Sequence, residues 1–501
     1  MDILSIYQQT DKKKKILAFA GLLVASLVLA FLMVRGGVAV AAIILLLPFA
    51  LIFLVASFNK PVVALYALFI FSFFLVAVER YLLKDVIPVG TIVDFLILYT
   101  FVLLFLKGLV QKVEWKKAGD GPMTVMSIWI IYCILEILNP EAPGLHAWFV
   151  GIRPFLYMAF SIPLFCMLLT VRSIKIFLTC WGILSMVLTI KGSMQLLIGL
   201  DSVEEALMVG PFRNTHVLWG KLRIFSICSD AGQFGACQAH AGLVGAILFL
   251  GAENAKQRLL YLMMCFTGIF GMFISGTRGA LFIVAAGALV YLVLIKNTKL
   301  IILGLICGGT AFGLLKYTTV GESVYEIRRM RTAFNPDQDA SYQVRKRNNE
   351  RLGEYLSTRP FGGGLGSMGD TGTGKKGSFL ASMWSDSGYV LVWGQTGIVG
   401  LVLYIGMMLF ILIKGAYFVW FSIKNKWLRN LVIAMVSGIT GIAVAHYGNP
   451  VMTMHPTCLV LFFSVAVIFI SPRLDKELSN DEDEQESNHH NSQLQPFRRH
   501  L

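Results

Sequence analysis

The strongest constraint on this chain is repetition of one kind of segment. About fourteen apolar runs, most of them near the ~20 residues a bilayer crossing needs, follow one another with short polar connections. The run from Ile176 to Leu200 is typical: it is long enough to cross, yet it carries Lys191 and Gln195. In lipid a backbone must satisfy its own hydrogen bonds, so only helices and closed barrels cross. Barrel strands alternate apolar and polar residues, and these runs do not. The chain is 56% hydrophobic and only 14% charged, with a mean hydropathy of +0.71. Soluble domains run near about 25% charged, so an ordinary soluble enzyme is excluded. The expectation is an all-α polytopic membrane protein with about 14 transmembrane helices.

Read with their flanks, the runs place spans at 16–34, 38–58, 61–79, 91–109, 123–138, 154–170, 174–199, 238–252, 258–276, 279–295, 299–315, 388–413, 430–446 and 456–471. No convincing small-residue cleavage site follows the first run, so Ile16–Val34 reads as a retained helix. One integral membrane domain, 1–473, and a disordered cytoplasmic tail, 474–501, are expected; the tail is polar and holds Asp481 to Glu484 and His489-His490.

Alternate connections carry most of the cations. They are Lys12 to Lys15; Lys107, Lys112, Lys116 and Lys117; Arg172 and Lys175; Lys256 and Arg258; Lys296 and Lys299; Lys414, Lys424, Lys426 and Arg429; and Arg473. With this helix count all of them fall on one side, which the positive-inside rule makes cytoplasmic, with both termini. Two long connections fall on the other side: Asp201 to Gln238, and a large extracytoplasmic loop at 316–387. Two short amphipathic helices are expected in that loop. Glu322–Thr332 has Val324, Ile327 and Met330 at helical spacing. The other starts near Ser341 and stops before Pro360, with Val344, Leu352, Tyr355 and Leu356 on one face and Arg347 and Arg351 on another.

Three stretches on that side could carry chemistry. In Ser275-Gly276-Thr277-Arg278-Gly279-Ala280, an arginine sits where two spans meet. It either snorkels to the interface as an anchor or binds an anion. Arg223 to Gly235 is a polar and aromatic re-entry into the membrane, where Ser229 or Asp230 can cap a helix. Thr358-Arg359-Pro360-Phe361-Gly362-Gly363-Gly364-Leu365-Gly366 is either a flexible turn or a backbone able to pass close to a ligand. Ser385-Asp386-Ser387-Gly388-Tyr389 and Gly394-Gln395-Thr396-Gly397 follow it. Gly372-Thr373-Gly374-Lys375-Lys376 lacks the spacing of a nucleotide-binding loop. The eight cysteines show no metal spacing; Cys228 and Cys237 lie close enough in sequence to pair, but nothing local demands it.

The order of these pieces, from Arg223 to Leu412, resembles the O-antigen ligase/polymerase superfamily. The pattern is an Arg-Gly-Ala motif at a helix end, a long loop with an Arg-rich helix, a Pro-aromatic-Gly-rich turn, then Asp-x-x-Tyr opening a glycine-containing span. The resemblance implies a GT-C-like glycosyltransferase working on undecaprenyl-diphosphate-linked oligosaccharide at the outer leaflet of the bacterial cytoplasmic membrane. It implies neither metal nor other cofactor. Polymerases of the superfamily extend repeat units; ligases pass polymer to a lipid A core. Flippase and chain-length regulator proteins are the partners it suggests, and nucleic acid is not among them. Carried onto this sequence, Arg278, Arg223 and Asp386 become the catalytic candidates. Arg345, Arg347, Arg351, Arg359, Gly364 and Gly366 become candidates for holding diphosphate and glycan. One departure favours the polymerase: ligases carry a His before the last glycine-containing span, and no His occurs here between His240 and His446. Asp386 stands in that place, with His446 and His455 as alternative bases. A flippase or transporter for lipid-linked oligosaccharide is the reading from another class; internal repeats would favour it, and none is evident.

Overall fold

The computed structural model describes residues 47–83, 88–118, 121–218, 220–334, 340–369, 377–383 and 385–494. The expected first span, 16–34, and Gly372–Lys376 lie outside them. The chain divides into two units, 1–64 and 65–501. In the first, the described residues form helix α1, Leu47–Asn59, a turn at Lys60 and Pro61, and the first three residues of α2 (Val62–Val78), the rest of which belongs to the second.

Among the described residues the second unit is all-α apart from one hairpin of two-residue strands, Val217–Leu218 with Lys221–Leu222. Its long helices are α3 (Gly90–Val110), α4 (Gly121–Leu135), α5 (Leu145–Leu168), α6 (Val171–Leu197), α9 (Ala231–Leu250) and α10 (Ala255–Ile274). They continue with α11 (Arg278–Ile295), α12 (Thr298–Tyr317), α16 (Gly388–Tyr417), α17 (Lys426–Ala445) and α18 (Thr457–Leu494). Shorter helices sit in the two long connections: α7 (Ser202–Leu207) and α8 (Phe212–His216), then α13 (Tyr325–Arg331), α14 (Ala340–Leu356) and α15 (Phe379–Ser382). Eleven helices of the described residues are long and apolar enough to cross a membrane, and Leu47–Asn59 and Met123–Leu138 are shorter apolar helices. This is an all-α polytopic membrane protein.

Helix α9 is the axis of the packing, and its sequence explains why. Gly232, Gly235, Ala236, Ala239, Gly242 and Gly245 keep its surface thin, so neighbours approach backbone to backbone. A Cβ on Gly268 of α10 would lie 2.5 Å from the Gly242 nitrogen. Each such glycine costs a helix up to about 1 kcal/mol; close packing offsets that cost. Elsewhere the core is aromatic: Phe69, Phe165, Phe177 and Phe463 of α2, α5, α6 and α18 meet ring to ring at 5.2–6.2 Å.

Several helices depart from the expectation, and at the starts of α9 and α5 the reason is a tertiary partner that accommodates a polar residue. Helix α9 begins at Ala231 rather than 238, since Asp230 caps it and Gln233 donates to Thr457 at 2.9 Å. Helix α5 begins at Leu145 rather than 154 and carries Arg153, which Asp94 of α3 grips with both oxygens. Helix α16 breaks inside, at Gly397 (φ 65°), a backbone conformation that L side chains resist. Helix α18 runs on to Leu494, through residues 474–494 of the expected tail; beyond Pro472 no proline or glycine interrupts it. Cys228 and Cys237 are both free and buried, so the pairing left open is not made.

Candidate functional site

The connections 198–230, 275–277, 318–387 and 446–456 all leave helices at one end of the second unit, and the sequence candidates gather there in two groups. The first centres on Thr277, the residue that opens α11. Its hydroxyl donates to the Ala231 carbonyl (2.8 Å), tying α11 to the start of α9, and accepts Nη2 of Arg223 (3.2 Å). Arg223 is fixed further by the Thr215 carbonyl (3.0 Å). Arg278, next to Thr277 in the chain, donates to Thr332 Oγ1 (3.2 Å) at the end of α13. Thr332 in turn donates to the Arg329 carbonyl, and Arg329 is 7% exposed. Arg223 and Arg278 therefore share one corner, with Arg329 beside it. Arg329 is a candidate that sequence pattern passed over, because on α13 it reads as one of three cations around an apolar stripe.

Local chemistry makes this corner rigid. Asp230 accepts the Gln233 N–H (2.9 Å), which stabilises the positive end of α9. His216 accepts the Ala231 N–H on Nε2 (3.2 Å) and lies 3.0 Å from the Phe212 carbonyl on Nδ1. That pattern requires the neutral ring with its proton on Nδ1. Burial agrees, pushing the His216 pKa down to about 4.

The second group lies at the start of α16. Asp386 is exposed and meets Arg345 of α14 at 3.3 Å. Ser387 caps α16 by accepting the Val390 N–H. Leu352 and Leu356 of α14 pack with Met368, Leu380, Met383 and Val390, so the expected apolar face is buried while Val344 is exposed. Arg351 lies over Phe379 (5.7 Å), and Arg347 is exposed on the same helix. Arg359 is held from three sides: Glu141 at 3.5 Å, the Tyr355 carbonyl at 3.1 Å and the Tyr355 ring at 4.2 Å.

The glycine turn packs against protein backbone. A Cβ on Gly364 would lie 2.7 Å from Ala142, and one on Gly366 would collide with the Ala147 carbonyl. The turn also fills the break in α16: Gly363 N–H bonds to the Gly394 carbonyl (3.0 Å), and Val399 N–H to the Pro360 carbonyl (3.3 Å). The polar groups that the break exposes are thereby satisfied.

A chain of contacts joins the two groups. Two residues beyond Asp386, the Gly388 N–H donates to the His446 carbonyl (2.8 Å), and the missing Gly388 side chain leaves room for the His446 ring. Three residues further, Asn449 reaches Asp230 (3.5 Å), whose neighbour Ala231 holds Thr277. The alternative bases are less open than Asp386. His446 is 1% exposed, and burial pushes its pKa down to about 3. His455 is pushed down to about 4 by burial, with Arg153 adding to the shift. A general base works best with a pKa near the operating pH. Among the described residues no three His, Cys, Asp or Glu side chains gather as metal ligands would. Cavities of about 670 and 390 Å3 open at the opposite end, among the ends of α6, α11 and α17.

No protein-family model and no curated protein matches this chain.

Proposed function

We propose that this protein is a membrane glycosyltransferase that polymerises lipid-linked oligosaccharide repeat units into surface or exopolysaccharide at the outer leaflet of the cytoplasmic membrane. The reading rests on the resemblance to the O-antigen ligase/polymerase superfamily. The observation that supports it most is the corner at Thr277, where Arg223 and Arg278 are fixed within one hydrogen-bonded frame that continues to Asp386. With fourteen spans and cytoplasmic termini, that corner faces outward.

In this reading an acceptor hydroxyl attacks the anomeric carbon of the donor. The new glycosidic C–O bond forms as the bond to undecaprenyl diphosphate breaks, and the diphosphate leaves with the electron pair. Arginine forks at Arg278 and Arg223 stabilise the charge gathering on it, bidentately, as a lysine would not. Asp386 takes the hydroxyl proton or orients that hydroxyl. Arg345 steers Asp386, while Arg347 and Arg351 line the approach of the glycan. Arg359, Gly364 and Gly366 support the site by fixing the turn.

Ligation of polymer to a lipid A core is the nearest alternative, and the absence of a His at the position of Asp386 weighs against it. A transporter would use a broken helix to hold its substrate; here loop backbone fills the break in α16. Glycan chain-length analysis of a deletion strain separates these readings. Loss of a polymerase leaves single repeat units, loss of a ligase leaves unattached polymer on its carrier, and loss of a flippase leaves repeat units on the inner leaflet.

A further inference from the structure

At the end of the bundle opposite the candidate site, α11 ends, α16 runs out in a π-helical segment at Phe418–Ser422, and α17 begins. A cavity of about 390 Å3 lies between them, within the range of ligand pockets. Its rim carries three exposed cations from two elements, Lys296, Lys426 and Arg429, and its floor includes the buried Val419 and Ile433. Trp420 forms one wall, and the Lys296 ammonium lies 4.9 Å from its ring. Tryptophan at a helix end marks the membrane–water boundary.

Among the described residues none of these three cations makes an ion pair. The nearby carboxylate, Asp475, is taken up by the Lys424 and Asn425 N–H groups (3.1 and 2.8 Å) and does not line the cavity. The positive end of α17 adds to the field, although cations in a first turn are unfavourable on their own. Arg429 gives two donors to the Ile423 carbonyl and has three left. Lys296 holds a left-handed backbone (φ 52°) at a helix end where glycine or asparagine costs less. The 670 Å3 cavity at the same end differs in that carboxylates meet its charges: Lys175 meets Glu253 at 3.5 Å, and the lining Glu477 meets Arg473 at 3.7 Å, leaving Arg172 as its one lining cation without an ion pair among the described residues.

We propose that the smaller cavity is a binding site for the phosphoryl headgroup of an anionic phospholipid. Lys296, Lys426 and Arg429 hold the phosphate, and Val419 and Ile433 face the glycerol and first acyl carbons. Basic pockets between helices at a membrane face bind such headgroups. An apolar floor beneath a cationic rim suits an amphiphile better than a free anion. The site is independent of the glycosyltransferase reading.

The test uses the purified full-length chain and counts bound lipid by native mass spectrometry, after exchange into phosphatidylcholine with graded phosphatidylglycerol. The parent should retain phosphatidylglycerol selectively. Each basic residue near a membrane is worth about 1 kcal/mol, about fivefold, so K296Q/K426Q/R429Q should weaken that binding ~100-fold. A charge-matched K112Q/K116Q/K117Q control should stay within about threefold of the parent. Equal retention of the two lipids, an unaffected triple variant or an equally impaired control would overturn the proposal. Inorganic phosphate displacing the bound lipid completely would overturn the lipid assignment in favour of a soluble anion. If the triple variant does not fold, K426Q alone should show the fivefold loss, and no loss would count against the site.

Discussion

Lys191 and Arg345 each meet a carboxylate at the same end of the bundle, in opposite surroundings. Lys191 leaves α6 to reach Asp201 (2.9 Å) and Glu204 (3.0 Å), and Glu204 is fully buried. Tyr81 donates to both carboxylates and Gln195 to Glu204, so the network is closed. Burial works against the Asp201 charge, yet hydrogen bonds from Tyr81, the Glu204 N–H and Lys191 outweigh it and hold that carboxyl well below its usual range. The pair of Arg345 and Asp386 is open instead: the side chains are 34% and 67% exposed. Such a pair contributes roughly 0–1 kcal/mol. A closed ionic network positions helices; an open pair leaves a carboxylate free to exchange its arginine for a substrate. Sequence alone shows both as a cation and an acid many residues apart.

The largest expected effect breaks the closed network. Lys191→Met leaves Glu204 buried without its cation and should destabilise the protein by about 3–5 kcal/mol, read as a lower Tm in detergent. A loss below about 1 kcal/mol would make this network equivalent to the open pair. Next comes the joint between α16 and α17. Gly388→Ala drives a methyl into the His446 ring and should cost about 1–3 kcal/mol. Adding His446→Ala should recover most of it, because the two changes couple through one contact; simple additivity would show that the ring is not what confines Gly388.

The smallest effect on stability, within about 0.5 kcal/mol, is expected for Asp386→Asn. The same variant should slow polymerisation at least roughly tenfold, below the usual 10²- to 10⁴-fold range for a general base, with donor binding nearly intact. A collapse of donor affinity would reassign Asp386 as a structural partner of the arginines. No change in either would move the test to His446 and His455.

The membrane class was legible because each apolar run has to satisfy its backbone as a helix, whatever surrounds it. Residues 322–332 and 341–357 were legible as helices because their apolar spacing and the proline stop are local. The helix starts at Leu145 and Ala231 were hidden: Arg153 and Gln233 look like interruptions until Asp94 and Thr457 are beside them. The fit of the glycine turn against Ala142, Ala147 and the break at Gly397 was hidden for the same reason, since a glycine records room for something without saying for what. Within the candidate site, Arg278 and Arg223 were readable as cations at a span end. The hydroxyl of Thr277 that brings them to one corner was not, because it depends on three segments meeting.

If the Thr277 corner stabilises a diphosphate leaving group, as proposed, chain elongation must depend on the guanidinium of Arg278. Purified protein is given undecaprenyl-diphosphate-linked repeat unit in EDTA, without nucleotide, and product length is followed over time for the parent, Arg278→Ala and Arg278→Lys. Chains should lengthen with the parent alone, while both variants insert and fold but leave single units. Full elongation by Arg278→Lys would reduce Arg278 to an anchoring charge, and parental activity restored only by Mg²⁺ or Mn²⁺ would contradict the arginine-based account.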